Sequence, residues 1–401
     1  MHFACAEESL VEDDGEWRGT ITTEGDVTTV VNESGSVWEG NPHVEESLSI
    51  GVAVGEEPYL LGDVRSIGAT ADRIYVVDRQ IAVVRVYDMD AMHLFDIGSE
   101  GEGPGEFTGP WSIGIGPDGR VAVQDRGRVT VFDLDGLLLD TWPVRGTGHP
   151  VVLTTDGTAF VASRWTDDDL RLYGVVGIAP DGSAGRRIPR PEYDNEPWDL
   201  FAEQGGAGMG IGVLYAPRVR FRVLPSGAVV RGISENYRFE VEHNDGRRTV
   251  IERVIDMPSV REAHREWFTD HWTAEMRSVQ PDWSWTANAV PDHFPAFEMF
   301  YGDRFGRIWV RRIIGTEEVV ACDPNPRAVE AGQARPCWRD VYGFDVFEEE
   351  TGRFLGSVAA PANARHPIRP AFLEDGFVMA VEDDVGTIMV KRYRMVLLEG
   401  E

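Results

Sequence analysis

The chain has 401 residues, and its hydrophobic fraction of 42% is enough to bury a large core. Its 68 acidic and 38 basic residues give a formal net charge of −30, which repels nucleic-acid backbones and anionic lipid surfaces. No apolar run reaches the roughly 18 residues that a membrane-spanning helix needs, so we expect neither a nucleic-acid partner nor a transmembrane span.

Residues 1–26 are predicted to form an acidic tether ahead of the folded domain. Within it, Cys5 follows the small residue Ala4 and precedes a polar stretch, a pattern that resembles the end of a bacterial lipoprotein signal. The basic and apolar regions of such a signal do not precede it. Cys5 is therefore interpreted either as a lipid anchor whose export signal is missing or as an incidental cysteine.

From about residue 60 onward, a unit of strand, glycine turn, strand and aromatic-x-acid strand recurs about six times. Its clearest copy begins at Ile113, turns at Asp118-Gly119 and ends at Phe132-Asp133. Glycine or aspartate can adopt the positive φ of a hairpin turn, and the flanking β-branched residues suit a pleated sheet. A four-stranded unit of about 40 residues is typical of a propeller blade. The sequence therefore predicts an all-β, six-bladed β-propeller with four-stranded antiparallel blades.

Radial repetition builds a single ring, so residues 27–401 are predicted to form one domain rather than several. The blades are placed at about residues 60–107, 108–147, 148–190, 215–257, 293–358 and 366–398. Between them, two insertions carry aromatic residues beside acids: Trp198 and Phe201 in the first, Trp283 and Trp285 in the second. Such loops suit a sugar, a peptide or a cationic small molecule. The alternative is that these aromatic residues pack beneath their own loops.

One segment, at about residues 259–280, breaks the β pattern. Apolar residues recur there at three- and four-residue spacing, and Ser259 followed by Glu262 fits a capping box. We expect one amphipathic helix, inserted after the fourth blade, that packs Trp267 and Trp272 onto the blade surface.

Two cysteines, Cys322 and Cys337, bracket a loop inserted in the fifth blade. In an exported protein a disulfide between them would contribute roughly 3 kcal/mol by restricting the unfolded chain. The alternative is a pair of reduced thiols that merely lie near each other.

Three histidines lie beside prolines that precede innermost strands: His149, His293 and His366. If the register holds, the imidazoles converge on one mouth of the central channel, where three neutral imidazoles would suit zinc. A histidine beside a proline in a loop is more often an ordinary surface residue, and this second interpretation is favoured.

The junction from Gly101 to Phe107, followed by Pro110, resembles that of NHL-type and TolB-like six-bladed propellers. Residues 27–33, 48–51, 308–312 and 341–347 are similar to uncharacterised, envelope-associated propellers of Gram-negative bacteria. This resemblance covers most of the chain from about residue 27 and implies the fold and export. A likeness to the amidating lyases implies zinc in the channel. Two of the three histidines, however, precede their prolines, whereas the lyases have the reverse order. A likeness to the lactonases would instead imply calcium in the channel.

These patterns favour an exported binding or scaffold propeller in the periplasm or on the cell surface, anchored to the outer membrane if Cys5 is acylated. We expect a monomer whose partner is a small molecule, a sugar, a peptide or an envelope protein. The alternative is a channel-metal enzyme, lyase-like or lactonase-like. The residues indicate no definite cofactor, and the candidates are zinc or calcium in the channel. Enzymatic activity is the less favoured interpretation.

Overall fold

The computed structural model describes residues 15–397, except 145–149, 168–169, 319–337, 362, 365–367 and 384. Nearly all secondary structure in this part of the chain is β-strand. Three strands precede the first repeat: β1 (Arg18–Glu24), β2 (Val27–Ser34) and β3 (His43–Ile50).

Six sheets then follow in chain order. Blade one comprises β4 (Val64–Ala69), β5 (Arg73–Asp78), β6 (Val83–Asp88) and β7 (His93–Ile97). Blade two comprises β8 (Ser112–Ile115), β9 (Val121–Asp125), β10 (Arg128–Phe132) and β11 (Leu138–Pro143). Blade three comprises β12 (Val152–Leu153), β13 (Ala159–Asp167), β14 (Leu170–Ile178) and β15 (Ala184–Pro189).

The second half contains the insertions. A hairpin of β16 (Asp199–Gln204) and β17 (Ala207–Gly212) precedes blade four, which comprises β18 (Val219–Val223), β19 (Val229–Ile233), β20 (Arg238–Glu242) and β21 (Arg248–Arg253). Helix α1 (Glu262–Val279) separates it from blade five, which comprises β22 (Met299–Gly302), β23 (Arg307–Glu318), β24 (Trp338–Glu348) and β25 (Phe354–Ala359). Blade six contains β26 (Ala371–Leu373), β27 (Gly376–Glu382) and β28 (Ile388–Val396).

The sheets surround a central channel, and the first strand of each blade lies innermost. Strand β4 contacts β8 on one side and β26 on the other, β8 contacts β12, and β18 contacts β22. The chain is therefore a six-bladed β-propeller, nearly all-β and with mostly four-stranded antiparallel blades, as the sequence predicts.

Burial between blades explains the apolar runs of the strands. In β5 five consecutive residues are buried, so both faces of the strand are covered, because each sheet packs against the sheets on either side. The turns follow the predicted chemistry: Gly119 has φ of 79° and Gly157 has φ of 82°, values that glycine adopts without strain.

The N-terminal strands complete blade six and extend blade four, which the sequence did not reveal. Strand β3 pairs antiparallel with β28 and supplies the outermost strand of blade six, and β2 pairs in parallel with β21 at the edge of blade four. Within the segment predicted as a tether, residues 18–24 form β1 and pair with β2. The β-branched residues of this segment favour a strand although it is largely exposed.

Helix α1 lies after blade four, as predicted, but begins at Glu262. Ser259 is not its N-cap: the capping position is Arg261, which makes no side-chain capping bond. Ser259 instead forms an isolated antiparallel bridge with His293, which keeps the chain extended there. No helix in the described part of the chain is long and apolar enough to cross a membrane.

Candidate functional site

The two insertions pack together into a small subdomain beside blades four and five. Its interior is formed by Leu200 from the β16–β17 hairpin, Phe268 and Met276 from α1, and Trp283 from the loop that follows. Apolar residues at helical spacing thus bury one side of α1 against the hairpin rather than against a blade face. The subdomain is joined to the long β23–β24 hairpin through His264, whose ring stacks on Trp338 with centroids 5.5 Å apart.

A cleft of about 520 Å³ lies between this subdomain and the propeller. Aromatic side chains form part of its wall, namely Trp198, Tyr215 and Phe294. The remaining wall is about half apolar and half polar, and Glu235, Asp256 and Asp292 lie along it as exposed acids. Among the described residues neither Glu235 nor Asp256 has an ion-pair partner, whereas Asp292 pairs with Arg265. The cleft therefore offers flat apolar surfaces together with unpaired negative charge.

Tyr215 is held in an unusual conformation at the wall of the cleft. Its φ is 56°, a left-handed value that costs a bulky residue on the order of 1–3 kcal/mol. Its hydroxyl donates to Asp340 Oδ1 at 2.6 Å, and its ring meets Phe294 edge-on at 4.7 Å. Burial, with the nearby Asp340 carboxylate, raises the pKa of the Tyr215 phenol, which therefore stays neutral and acts as a donor.

Of the four aromatic residues predicted to bind a ligand, Trp198 alone lines this cleft. Phe201 is 70% exposed on the inserted hairpin. Trp283 is 4% exposed, and its indole donates to the carbonyl of Phe201 at 2.7 Å. Trp285 contacts Trp283 with ring centroids 6.2 Å apart. A ligand-binding role for these three stays a prediction, and the geometry describes Trp283 as part of the subdomain interior.

Only one of the three predicted metal ligands lies in the described part of the chain. His293 is exposed and borders the cleft, whereas His149 and His366 lie outside the described residues. Across the described ranges no group of three or more His, Cys, Asp or Glu side chains is placed to hold a metal ion. The disulfide between Cys322 and Cys337 and the anchor at Cys5 also fall outside the described residues, so these sites stay predictions.

Two features were missed by sequence reasoning. Tyr215 gave no signal, because its conformation depends on the packing of the subdomain. The arginines of β18 did leave a signal, since Val219-Arg-Phe-Arg-Val223 alternates apolar and cationic residues in what proves to be an innermost strand. A strand beside a central channel turns alternate residues toward that channel.

Comparisons with known proteins agree with the architecture. A family described as a 6-bladed beta-propeller, DUF5128, matches residues 54–144, which hold blades one and two. No curated protein matches the chain significantly in sequence.

Three solved structures are similar to this chain over most of its length. A member of the DUF4221 family from Bacteroides vulgatus is 9% identical, with 88% of this chain and 98% of that chain covered and a TM-score of 0.47. A protein from Bacteroides fragilis that is thought to be exported is 10% identical, with 88% and 95% covered and a TM-score of 0.46. Virginiamycin B lyase from Staphylococcus aureus is 8% identical, with 88% and 100% covered and a TM-score of 0.39.

Proposed function

We propose that the protein is an exported binding propeller of the cell envelope and that its ligand occupies the cleft between the inserted subdomain and blades four and five. The observation that carries this proposal is the wall of that cleft, where Trp198 and Phe294 flank a strained Tyr215. Strained backbone concentrates at ligand-binding positions, because the surrounding structure must be built to hold it there.

The composition of the cleft favours a small cationic ligand with a flat apolar body. Aromatic rings attract cations through their negative faces, and the effect increases when water is excluded. Glu235 and Asp256 add negative charge without an ion-pair partner among the described residues. Export and anchoring through Cys5 rest on the resemblance of the chain to envelope-associated propellers.

Phenethylamine and 3-phenylpropionate test this proposal, because they have a similar shape and opposite charge. Calorimetry should show that phenethylamine binds and that 3-phenylpropionate binds at least about tenfold more weakly. Trp198→Ala should weaken phenethylamine binding about tenfold or more, since an aromatic contact at a cation site contributes on the order of 1–2 kcal/mol.

Phe201→Ala is the matched control, since Phe201 is an exposed aromatic residue of the same insertion that does not line the cleft. Its affinity for phenethylamine should equal that of the parent. Equal binding of the two probes, no binding of either, or an unchanged affinity in Trp198→Ala would each rule out a cation site at this cleft.

A further inference from the structure

The central channel contains an arrangement of charge that the cleft does not explain. Residues from all six blades border one cavity of about 100 Å³ there, among them Ile113, Leu153 and Gly302. A smaller adjoining cavity of about 10 Å³, room for about one water molecule, is lined by Arg222, Tyr301 and Arg369, and Arg369 borders both cavities. Arg222 comes from the innermost strand of blade four, and Arg369 lies just before the innermost strand of blade six. Two arginines from different blades therefore line the same small space in the channel.

The positive charge of these side chains is not neutralised locally. In the described part of the chain neither Arg222 nor the neighbouring Arg220 has a carboxylate within ion-pair distance, and the Nε of Arg220 is buried without a hydrogen bond. Arg369 donates a hydrogen bond to the carbonyl of Gly302 at 3.3 Å, which leaves its charge uncompensated.

The acids nearby are already engaged. Glu298 forms an ion pair with Arg311 at 3.2 Å. Asp303 borders the larger cavity but accepts hydrogen bonds from Arg307 at 2.6 Å and from the Trp309 indole at 2.8 Å. Arg304 also borders this cavity and is exposed. The channel thus holds an excess of positive charge in a chain whose net charge is −30.

The arginines are surrounded by protein although the channel leaves them partly accessible. Burial, together with the proximity of Arg369 and Arg220, lowers the pKa of Arg222 to about 10, and burial also lowers the pKa of Arg369. Both stay protonated at neutral pH. Like charges enclosed without a counterion destabilise a fold, so a structural role does not account for them, whereas a bound anion would offset their cost.

The walls of the larger cavity define what kind of anion fits. Away from the arginines they are aliphatic, with Ile113, Ile115 and Leu153 exposed to the cavity. A volume of about 100 Å³ accommodates a few heavy atoms rather than a nucleotide or a sugar chain. The planar guanidinium group binds a carboxylate through two parallel hydrogen bonds. We infer that the larger cavity of the central channel binds a small aliphatic carboxylate, its charged group at Arg369, on the side where the smaller cavity with Arg222 adjoins, and its apolar body against these aliphatic side chains.

This site would disfavour a metal cation in the same part of the channel, because the guanidinium groups repel it. It is independent of the cleft, from which it differs in lining residues and in the sign of its charge. The two proposals can therefore fail separately.

Calorimetric titration with butyrate tests the carboxylate site, with phosphate and butylammonium as comparison probes. Butyrate should bind, phosphate should bind at least about tenfold more weakly, and butylammonium should not bind. Arg222→Met and Arg369→Met should each weaken butyrate binding tenfold or more, and Arg222→Lys should lose less than Arg222→Met. Trp198→Ala should leave butyrate binding unchanged, which separates this site from the cleft.

Arg171→Met is the matched control, since Arg171 is exposed and lines neither channel cavity, and it should bind butyrate like the parent. Without ligand, Arg222→Met should unfold at the same temperature as the parent or higher, because it removes an unpaired charge. Failure of butyrate to bind, stronger binding of phosphate, equal loss in Arg171→Met, or unfolding of Arg222→Met below the parent would overturn the proposal.

Discussion

Replacing Asp345 by Asn should lower the free energy of unfolding by about 3–5 kcal/mol, the range found when one partner of a buried ion pair is removed. Asp345 lies on β24 and is fully buried at the boundary between blades four and five. Its Oδ2 accepts hydrogen bonds from Arg253 at 2.5 Å, from Arg312 at 3.1 Å and from the Tyr237 hydroxyl at 2.6 Å. Asparagine would retain the shape but remove the negative charge that Arg253 and Arg312 share.

The same carboxylate predicts how stability depends on pH. Burial alone would raise the pKa of Asp345, but Arg253 and Arg312 outweigh it and lower the pKa to about 2. Its pKa in the unfolded chain is about 4. The stabilisation is therefore complete above about pH 4 and is lost as the pH falls toward 2, a change of about 2–3 kcal/mol. Denaturant unfolding at pH 6 and pH 3 should show the parent approaching Asp345→Asn at the lower pH.

Asp135→Asn provides the matched control. Asp135 also pairs with an arginine, at 2.7 Å from Arg73, but its side chain is 76% exposed. An exposed pair contributes about 1 kcal/mol or less, so this variant should unfold almost like the parent. Two results would contradict a stabilising role of the buried Asp345 ion pairs between blades four and five. One is an equal loss of stability in the two variants, and the other is a pH dependence that persists unchanged in Asp345→Asn.

The propeller could be predicted from the sequence because each blade repeats the same local sequence pattern of strand, turn and strand. A residue that tolerates positive φ stands between two β-branched runs, as at Gly119 and Gly157, and local chemistry of this kind survives in any context. Helix α1 was predictable for the same reason, since its apolar spacing is local. Its start was misplaced because the bridge between Ser259 and His293 is a contact over 34 residues that no local pattern encodes.

The candidate sites depend on contacts of this long-range kind. The alternation of β18 placed Arg222 on one side of the strand, but the same pattern fits a side that faces solvent. Its position at the channel follows only from the arrangement of the blades. Trp198 and Trp283 looked equivalent as aromatic residues in insertions. The packing of the hairpin against α1 buries Trp283 and leaves Trp198 along the cleft.

The second prediction with a large effect concerns β3, the N-terminal strand that completes blade six and so closes the ring of blades. A chain that lacks residues 1–52 should lose cooperative folding or unfold at much lower denaturant concentration, because it lacks β3. That strand buries Leu48 and Ile50 in the core between blades six and one, and it covers the edge of β28. Replacing both residues by alanine should by itself cost about 4 kcal/mol or more, since each such deletion costs about 2–5 kcal/mol. Denaturant unfolding followed by tryptophan fluorescence would measure both variants.

A chain that lacks only residues 1–26 separates closure from the mere loss of N-terminal residues. This deletion removes β1, most of which is exposed, and Trp17, which packs at the edge of a core cluster and donates to Asn32 at 2.8 Å. It retains the bonds of Asn32 to the carbonyls of Glu252 and Gly352. It should lower the free energy of unfolding by about 1–3 kcal/mol, the usual range for a single change, and so by less than the longer deletion. If both truncated chains unfolded alike, β3 would be dispensable. An uncovered β28 would also present free backbone groups to other chains, so the longer deletion should aggregate while the shorter one stays monomeric in size-exclusion chromatography.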